Sequence, residues 1–365
     1  GNNLISSWNK SWIKLPRMIS QKLASIIKSK KDEVYVGSST SINLFKLIKS
    51  ILQSNKSIKN ISTDNLNFPS DKYICELIAK DFKIDFNFLD YGSDLMADIE
   101  QLKEFIKEKR GIIVLSHVAF KSSYRYPIKE ISKFCKDNNT IVIWDLSHSI
   151  GAVDINMGLN HVDYAIGCTY KYLNGGPGSP AFIYVREQEL RKLKSPLRGW
   201  FSHEKPFEYS NEYNESNSIE KFSNGTPHIL SLSTLKTSLD ITIEATTEEL
   251  NIKSAKLFDY FVSIYIGKLK KLNFELLTPM DMSNRGSHIA ISHKEAWRIS
   301  KCLINPIDND KLSIIIDFRP NNIIRIALTP LYTSFEDIYL ISKRLINIVN
   351  EEEYRQKDYS MEGVT

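Results

Sequence analysis

The sequence is short of everything that would force a special class of protein. Four cysteines, twelve prolines and fifteen glycines are spread over 365 residues. Cys75, Cys135, Cys168 and Cys302 lie far apart without metal-ligand spacing. They read as reduced core thiols of a cytoplasmic protein, not as a disulfide framework, and no metal is expected. No apolar run approaches the roughly 18 residues of a membrane helix, and no secretory leader pattern is present. Charge of one sign is also scarce: 48 basic residues against 43 acidic leave a formal net charge of +5. The lysines are interleaved with acids, so no basic stripe for nucleic acid forms. What remains is a chain of ordinary hydrophobicity, long enough to bury a large core in about two domains.

Against that background one stretch, Thr140 to Arg186, is dense with unusual chemistry. Two apolar runs, 141–144 and 164–168, read as short buried strands. Asp145 follows the first, with His148 three residues on, and Lys171 stands just past the second. The run Asn174-Gly175-Gly176-Pro177-Gly178 can only be turns. An unpaired buried charge costs several kcal/mol, so it is normally paired, neutralised or bound to a ligand. A cofactor carrying both an aldehyde and a ring nitrogen satisfies both groups. The lysine amine condenses with the aldehyde, and the aspartate holds a proton on the nitrogen. That is the protein's side of pyridoxal phosphate chemistry.

An amphipathic helix with Ile19, Leu23, Ile26 and Ile27 on one face is followed by a strand at 34–36, a Gly/Ser/Thr turn and an apolar helix from Ile42. Such a turn suits either a capped helix or a bound phosphate. Strands are expected at 60–63, 86–89 and 111–116, with helices after Asp71, over 94–109 and over 127–137. Strand and helix alternate at least five times, which predicts a parallel sheet with helices on both faces. Ligands bind such sheets at the carboxyl ends of the strands. Thr40, Phe68, Ser116, Asp145 and Lys171 all follow strand ends. Residues 205–221 read as an exposed loop. Further on, strands at 285–291, 314–318 and 323–328, the last two joined by Pro320-Asn321-Asn322, make a smaller α+β domain closed by a helix from Phe335. Arg325 lies among isoleucines and needs a carboxylate, supplied by an internal salt bridge or by a ligand. Residues past 351 read as a loose tail.

The ordered combination WDLSHSIGAV…DYAIGCTYKYLNGGPGSPAFIYV, with Phe68-Pro69-Ser70-Asp71 upstream and Arg325-Ile-Ala-Leu-Thr-Pro-Leu-Tyr-Thr-Ser-Phe335 downstream, resembles kynureninase. Kynureninases are pyridoxal phosphate enzymes of fold type I. The resemblance runs from about Leu4 to about Leu345. It implies an α/β large domain with a mostly parallel seven-stranded sheet flanked by helices, and a smaller carboxy-terminal α+β domain. The expected divisions are a lead-in over 1–30, a cofactor-binding domain over 31–236 and the small domain over 237–365. The sequence opens without Met, and members of that family usually carry a further opening segment, including a loop that helps close the substrate site.

By the same resemblance Thr40 and Ser41 meet the cofactor phosphate, Phe68 covers the ring face, and Asp71 and Ser116 lie beside the ring. His148 supports Asp145, Tyr170 is the proton donor beside the phosphate, and Lys171 is the catalytic amine. Trp200 and Thr226 reach the other subunit's phosphate, which implies a homodimer. Arg325 takes the substrate α-carboxylate, and Trp8, Gly225 and Thr226 border the substrate. These three match members that prefer L-kynurenine; forms preferring 3-hydroxykynurenine tend to carry histidine, serine and asparagine. Two departures, Lys121 for a tyrosine found in some members and Ser123 for a usual glycine, touch the aryl pocket. The implied reaction is hydrolysis of kynurenine to anthranilate and alanine in tryptophan degradation. A cysteine desulfurase-like or aminotransferase reaction on the same fold is the competing reading. A desulfurase needs a mobile catalytic cysteine, and Cys168 is the only one in the central motif.

Overall fold

The computed structural model describes residues 6–308 and 310–356. Two compact units divide the chain. The first takes the residues up to 117 together with 126–247, and the second takes 118–125 together with those from 248 on.

The first unit is built on one sheet of seven strands: β1 (Val34–Val36), β2 (Asn60–Asp64), β3 (Asp85–Leu89), β4 (Ile112–Ser116), β5 (Ile141–Asp145), β6 (Tyr164–Gly167) and β7 (Phe182–Val185). Their spatial order is β1-β7-β6-β5-β4-β2-β3. β3, β2, β4, β5 and β6 pair in parallel, while β7 runs antiparallel to both β6 and β1. β4, β6 and β7 are buried along their whole length, because helices cover both faces of such a sheet and the alternation of a half-exposed strand disappears. β7 is the strand that pattern reading passes over. It follows the glycine turn directly, and a four-residue apolar run carries no sign of its direction.

Helix Thr40–Ser54 shows how the core is specified. Leu44, Leu47, Ile48 and Ile51 fall on one face at three- and four-residue spacing. They pack with Ile61, Val114, Ile143, Ile166 and Ile183 of the sheet. Each such side chain contributes about 1.5–3 kcal/mol on full burial, so truncating Leu47 to Ala costs about 2–5 kcal/mol. Helix Leu15–Ile26 has the expected apolar face, with Ile19 and Leu23 fully buried. It packs on β1 and on helix Ile229–Ala245, which therefore belongs to the first unit. Helix Ile99–Glu108 starts at Asp98, whose carboxylate accepts from the Glu100 and Gln101 amides at 3.0 and 3.1 Å.

The second unit carries a four-stranded antiparallel sheet of β8 (Glu275–Leu276), β9 (His288–Ser292), β10 (Asp317–Arg319) and β11 (Ile323–Ala327), in the order β10-β11-β9-β8. The β10–β11 turn uses Asn321 and Asn322 at φ 71° and 61°, the left-handed region that asparagine tolerates. Three expectations need correcting here. The strand expected at 314–318 begins only at Asp317, because Ile314 donates to the Leu303 carbonyl and Ile315 is 88% exposed. The loop 205–221 is not exposed to its end: Ile219 and Lys221 are buried, Lys221 donating to the Leu193 carbonyl at 2.7 Å. Residues 352–356 are not loose, because Glu353 is sealed against Arg344; the rest of the expected tail, 357–365, lies outside the described residues. Among the described residues no helix is long and apolar enough to cross a membrane, and no group of three His, Cys, Asp or Glu side chains could hold a metal.

Candidate active site

The carboxyl ends of the parallel strands collect the predicted residues. Ser116 and Asp145 end β4 and β5 and face each other in register. Asp145 is buried, and its Oδ1 accepts from the Ser147 amide at 2.8 Å. The Ser147 hydroxyl accepts from the Cys168 amide at 3.0 Å, which ties the end of β5 to the end of β6. His148 is buried on the turn that follows.

Lys171 sits four residues past β6. The glycine turn holds this segment: Gly175 N–H donates to the Thr169 carbonyl at 2.9 Å, and the Thr169 hydroxyl reaches Pro180 O and Ser179 Oγ, each at 2.6 Å. Gly176 and Gly178 take φ 84° and 75° there, where a side chain is disfavoured. The Lys171 Nζ lies 5.9 Å from the Phe68 ring centroid and 5.7 Å from that of Tyr170. Both rings remain open, Phe68 at 40% and Tyr170 at 52% exposure.

Asp71, in the first turn of helix Pro69–Phe82, is the second buried acid. Burial first, and then the Asp145 charge, push its carboxyl well above the usual range, against the pull of Lys171. Burial likewise raises Asp145, while Lys171 and Ser147 pull it down. The three groups therefore sense one another, yet Lys171 forms no ion pair with either acid among the described residues. Among the described residues, Asp71 Oδ2 is buried without a partner. Tyr170 is pushed up to about 12, by burial first and then by Cys168 and Asp145, so its hydroxyl keeps its proton at neutral pH.

Sequence reading missed the brace beneath these groups. Asn67 accepts at Oδ1 from the Phe68 amide at 2.8 Å and from the Ser116 hydroxyl, and donates to the Thr63 hydroxyl at 3.0 Å. Asp64 in turn accepts from the Leu66 and Asn67 amides and from the Tyr126 hydroxyl at 2.5 Å. Two polar residues at the end of a weak strand were the available signal.

The remaining predicted residues fall in three places. Thr40 and Ser41 open helix Thr40–Ser54 beyond β1, with Ser39 as its N-cap. Trp200 and Thr226 lie on adjoining loops, since the Phe201 amide donates to Asn224 O at 3.0 Å. A cavity of about 380 Å³ is lined by Tyr35, Ser38, Asn224, Gly225 and Thr226. Trp8 is half-buried, edge-on to Trp12 at 5.9 Å. Arg325 belongs to the second unit, where Asp317 directly opposite on β10 supplies a carboxylate: Nε reaches Oδ2 at 2.8 Å, and Nη2 contacts the same oxygen. Nη1 donates to Phe120 O. Asp317 is shared with Arg319 at 3.0 Å, so one carboxylate faces two guanidinium groups. Of the five N–H groups of Arg325, two have no acceptor among the described residues.

Comparison with known proteins agrees with this architecture. A family model described as the kynureninase C-terminal domain matches residues 250–345. The kynureninase of Pseudomonas fluorescens is 34% identical over 99% of the chain and 85% of that protein. That of Burkholderia mallei (strain SAVP1) is 32% identical over the same shares. Among solved structures, a cysteine desulfurase from Thermococcus onnurineus NA1 superposes with a TM-score of 0.79 at 18% identity, covering 94% of this chain and 85% of that one. An alanine–glyoxylate aminotransferase from Nostoc sp. gives 0.69 at 13%, covering 93% and 88%. These two show the fold, that of fold-type-I pyridoxal phosphate enzymes. The relatives at 32–34% identity over nearly the whole chain go further: the chain belongs to the kynureninase family, hydrolases that act on carbon–carbon bonds in ketonic substances.

Proposed function

We propose that the chain hydrolyses the Cβ–Cγ bond of L-kynurenine, releasing anthranilate and L-alanine, with pyridoxal phosphate held at the carboxyl end of the seven-stranded sheet. One observation carries the reading. A buried acid and a primary amine feel each other's charge without pairing among the described residues, beside two open aromatic rings. Those residues fit the cofactor. Asp145, raised by burial, gains a cationic partner in a protonated ring nitrogen. Phe68 offers a stacking face worth about 0.5–1.5 kcal/mol beyond burial. Thr40 and Ser41 offer backbone N–H groups at a helix start to the phosphate, and Ser116 and Asp71 border the ring. When bound, the group supplies an electron-withdrawing ring conjugated with the substrate nitrogen.

Lys171 would hold the cofactor through its aldehyde, and its amine, when free, is the base that would take the proton from Cα. Water adds to the γ-carbonyl, the Cβ–Cγ bond breaks to release anthranilate, and Tyr170, kept protonated, is placed to supply the proton that Cβ takes up to become the methyl of alanine. His148 steadies Asp145. Arg325 turns its two remaining N–H groups to the α-carboxylate. Trp200 and Thr226 complete the partner's phosphate site in a cytoplasmic homodimer, and Trp8, Gly225 and Thr226 favour the unhydroxylated substrate. The desulfurase alternative lacks its nucleophile, because Cys168 is buried and burial raises its thiol. Assay of alanine and the aryl product from L-kynurenine and from its 3-hydroxy analogue tests the reading. Turnover of kynurenine is expected to dominate, and no aryl amine from either substrate would refute it.

A further inference from the structure

Lys46 is the most fully buried cation of the first unit, 1% exposed on helix Thr40–Ser54. No carboxylate meets it among the described residues. Its Nζ donates to Phe222 O at 2.8 Å and to Ser38 Oγ at 3.1 Å, and lies 5.1 Å from the Tyr35 ring centroid. Burial alone pushes it down to about 8, with no acid to offset the loss of water. A lone ammonium in such a place costs several kcal/mol unless something else uses its charge.

The surroundings show what it is placed to do. Helical side chains lean toward the helix start, so Lys46 reaches back beneath the turn 37–39. That turn is conformationally costly: Ser38 has φ 58°, and a side chain on Gly37 would strike the Tyr35 ring. It is held from below by Asn43, whose Nδ2 donates to Gly37 O at 2.9 Å, and by Lys46. The second Lys46 bond, to Phe222 O, secures the start of the segment that carries Gly225 and Thr226. One charge thus joins the turn before Thr40 and Ser41, assigned to this chain's own phosphate, to the segment bearing Thr226, assigned to the partner's.

We propose that Lys46 is a positioning residue for the cofactor phosphate. Its uncompensated charge holds the 37–40 turn and the 222–226 segment in one arrangement, so phosphate binding depends on it and ring binding does not. The inference rests on the pyridoxal phosphate reading above. The test compares dissociation constants of pyridoxal phosphate and of pyridoxal, which has the same ring and aldehyde without the phosphate, for the full chain and for Lys46→Met and Lys46→Arg. Lys46→Met is expected to weaken pyridoxal phosphate by about tenfold or more, the worth of a hydrogen bond to a charged group. Pyridoxal binding should change by less than about twofold, and Lys46→Arg should keep most of the discrimination. The melting temperature of Lys46→Met should hold or rise, since an unpaired buried charge has gone. Equal weakening of both ligands, or of neither, overturns the proposal. Should Lys46→Met not fold, Lys46→Gln carries the same two outcomes. If the parent chain forms no borohydride-sensitive visible band with either ligand, the cofactor reading falls first, and that failure is distinct.

Discussion

Two ionic clusters in this molecule each set buried carboxylates against basic groups, and they end in opposite states. In the second unit Arg344 and Glu353 pair bidentately, at 2.7 and 2.6 Å. Lys311 adds a bond at 3.1 Å and the Ile307 amide another at 3.4 Å. Burial opposes the Glu353 charge, yet Arg344 and Lys311 hold its carboxyl down at about 2. In the first unit Asp71 and Asp145 are also out of water, with Lys171 half-buried beside them, but both acids are pushed up and, among the described residues, no ion pair closes. The first cluster has spent its charges on itself. The second keeps an acid and an amine unsatisfied beside open rings, which is stable only if a ligand finishes the network. The contrast separates structural charge from functional charge without reference to relatives.

The most severe way to break that contrast is Lys171→Ala. Turnover of kynurenine is expected to fall by at least about 10⁴-fold, and the borohydride-sensitive band should vanish. Unfolding free energy should move by no more than about 1 kcal/mol. Steady-state kinetics and urea unfolding of the same preparation decide it; substantial residual turnover would remove Lys171 from the chemistry. Arg344→Met should do the reverse. Leaving Glu353 unpaired costs about 3–5 kcal/mol of folding stability, while kcat per folded molecule stays unchanged. A loss of kcat without a loss of stability would make this pair functional too.

The two clusters also differ in how far the sequence announced them. Asp145 and Lys171 were legible because each ends an apolar run, and charge after a buried strand is rare. Arg325 was legible as a buried cation in need of a carboxylate. Its partner Asp317 was not, since the pairing depends on the β10–β11 register. The Arg344–Glu353 pair was invisible because it joins a helix to what reads as a polar tail. Asn67 and Asp64 look like turn residues, and only the fold shows them bracing Phe68. The detour of residues 118–125 into the second unit left no trace in composition or periodicity.

Proton linkage sharpens the comparison by sign. Glu353 falls from an ordinary 4.5 to about 2, so its contribution is present above pH 4.5 and is lost as pH falls toward 2. Asp64, in the brace under Phe68, is raised from 3.8 to about 6, chiefly by burial. Its folded form binds the proton more tightly, so stability is lost as pH rises from about 4 to 6. Each shift corresponds to about 3 kcal/mol. The deficit of Glu353→Gln relative to the parent should therefore shrink on acidification from pH 4.5 to 2. Asp64→Asn should gain on the parent as pH rises from 4 to 6. Equilibrium unfolding at several pH values reads both, and equal signs would erase the distinction.

The smallest expected effect on folding is at Asp71. Burial and the neighbouring Asp145 already work against its charge, so Asp71→Asn keeps the shape and removes a charge that the surroundings disfavour. Folding stability should change by less than about 1 kcal/mol, against the several lost at Arg344. Turnover should still fall, by roughly 10- to 100-fold, because an amide cannot take up charge when a cationic ring nitrogen and Asp145 compete beside it. Chemical denaturation and kcat/KM measured together give the two numbers. If Asp71→Asn unfolds the protein as readily as Arg344→Met does, the unsatisfied Oδ2 is an anchor of the helix that begins at Pro69, and the functional cluster shrinks to Asp145 and Lys171.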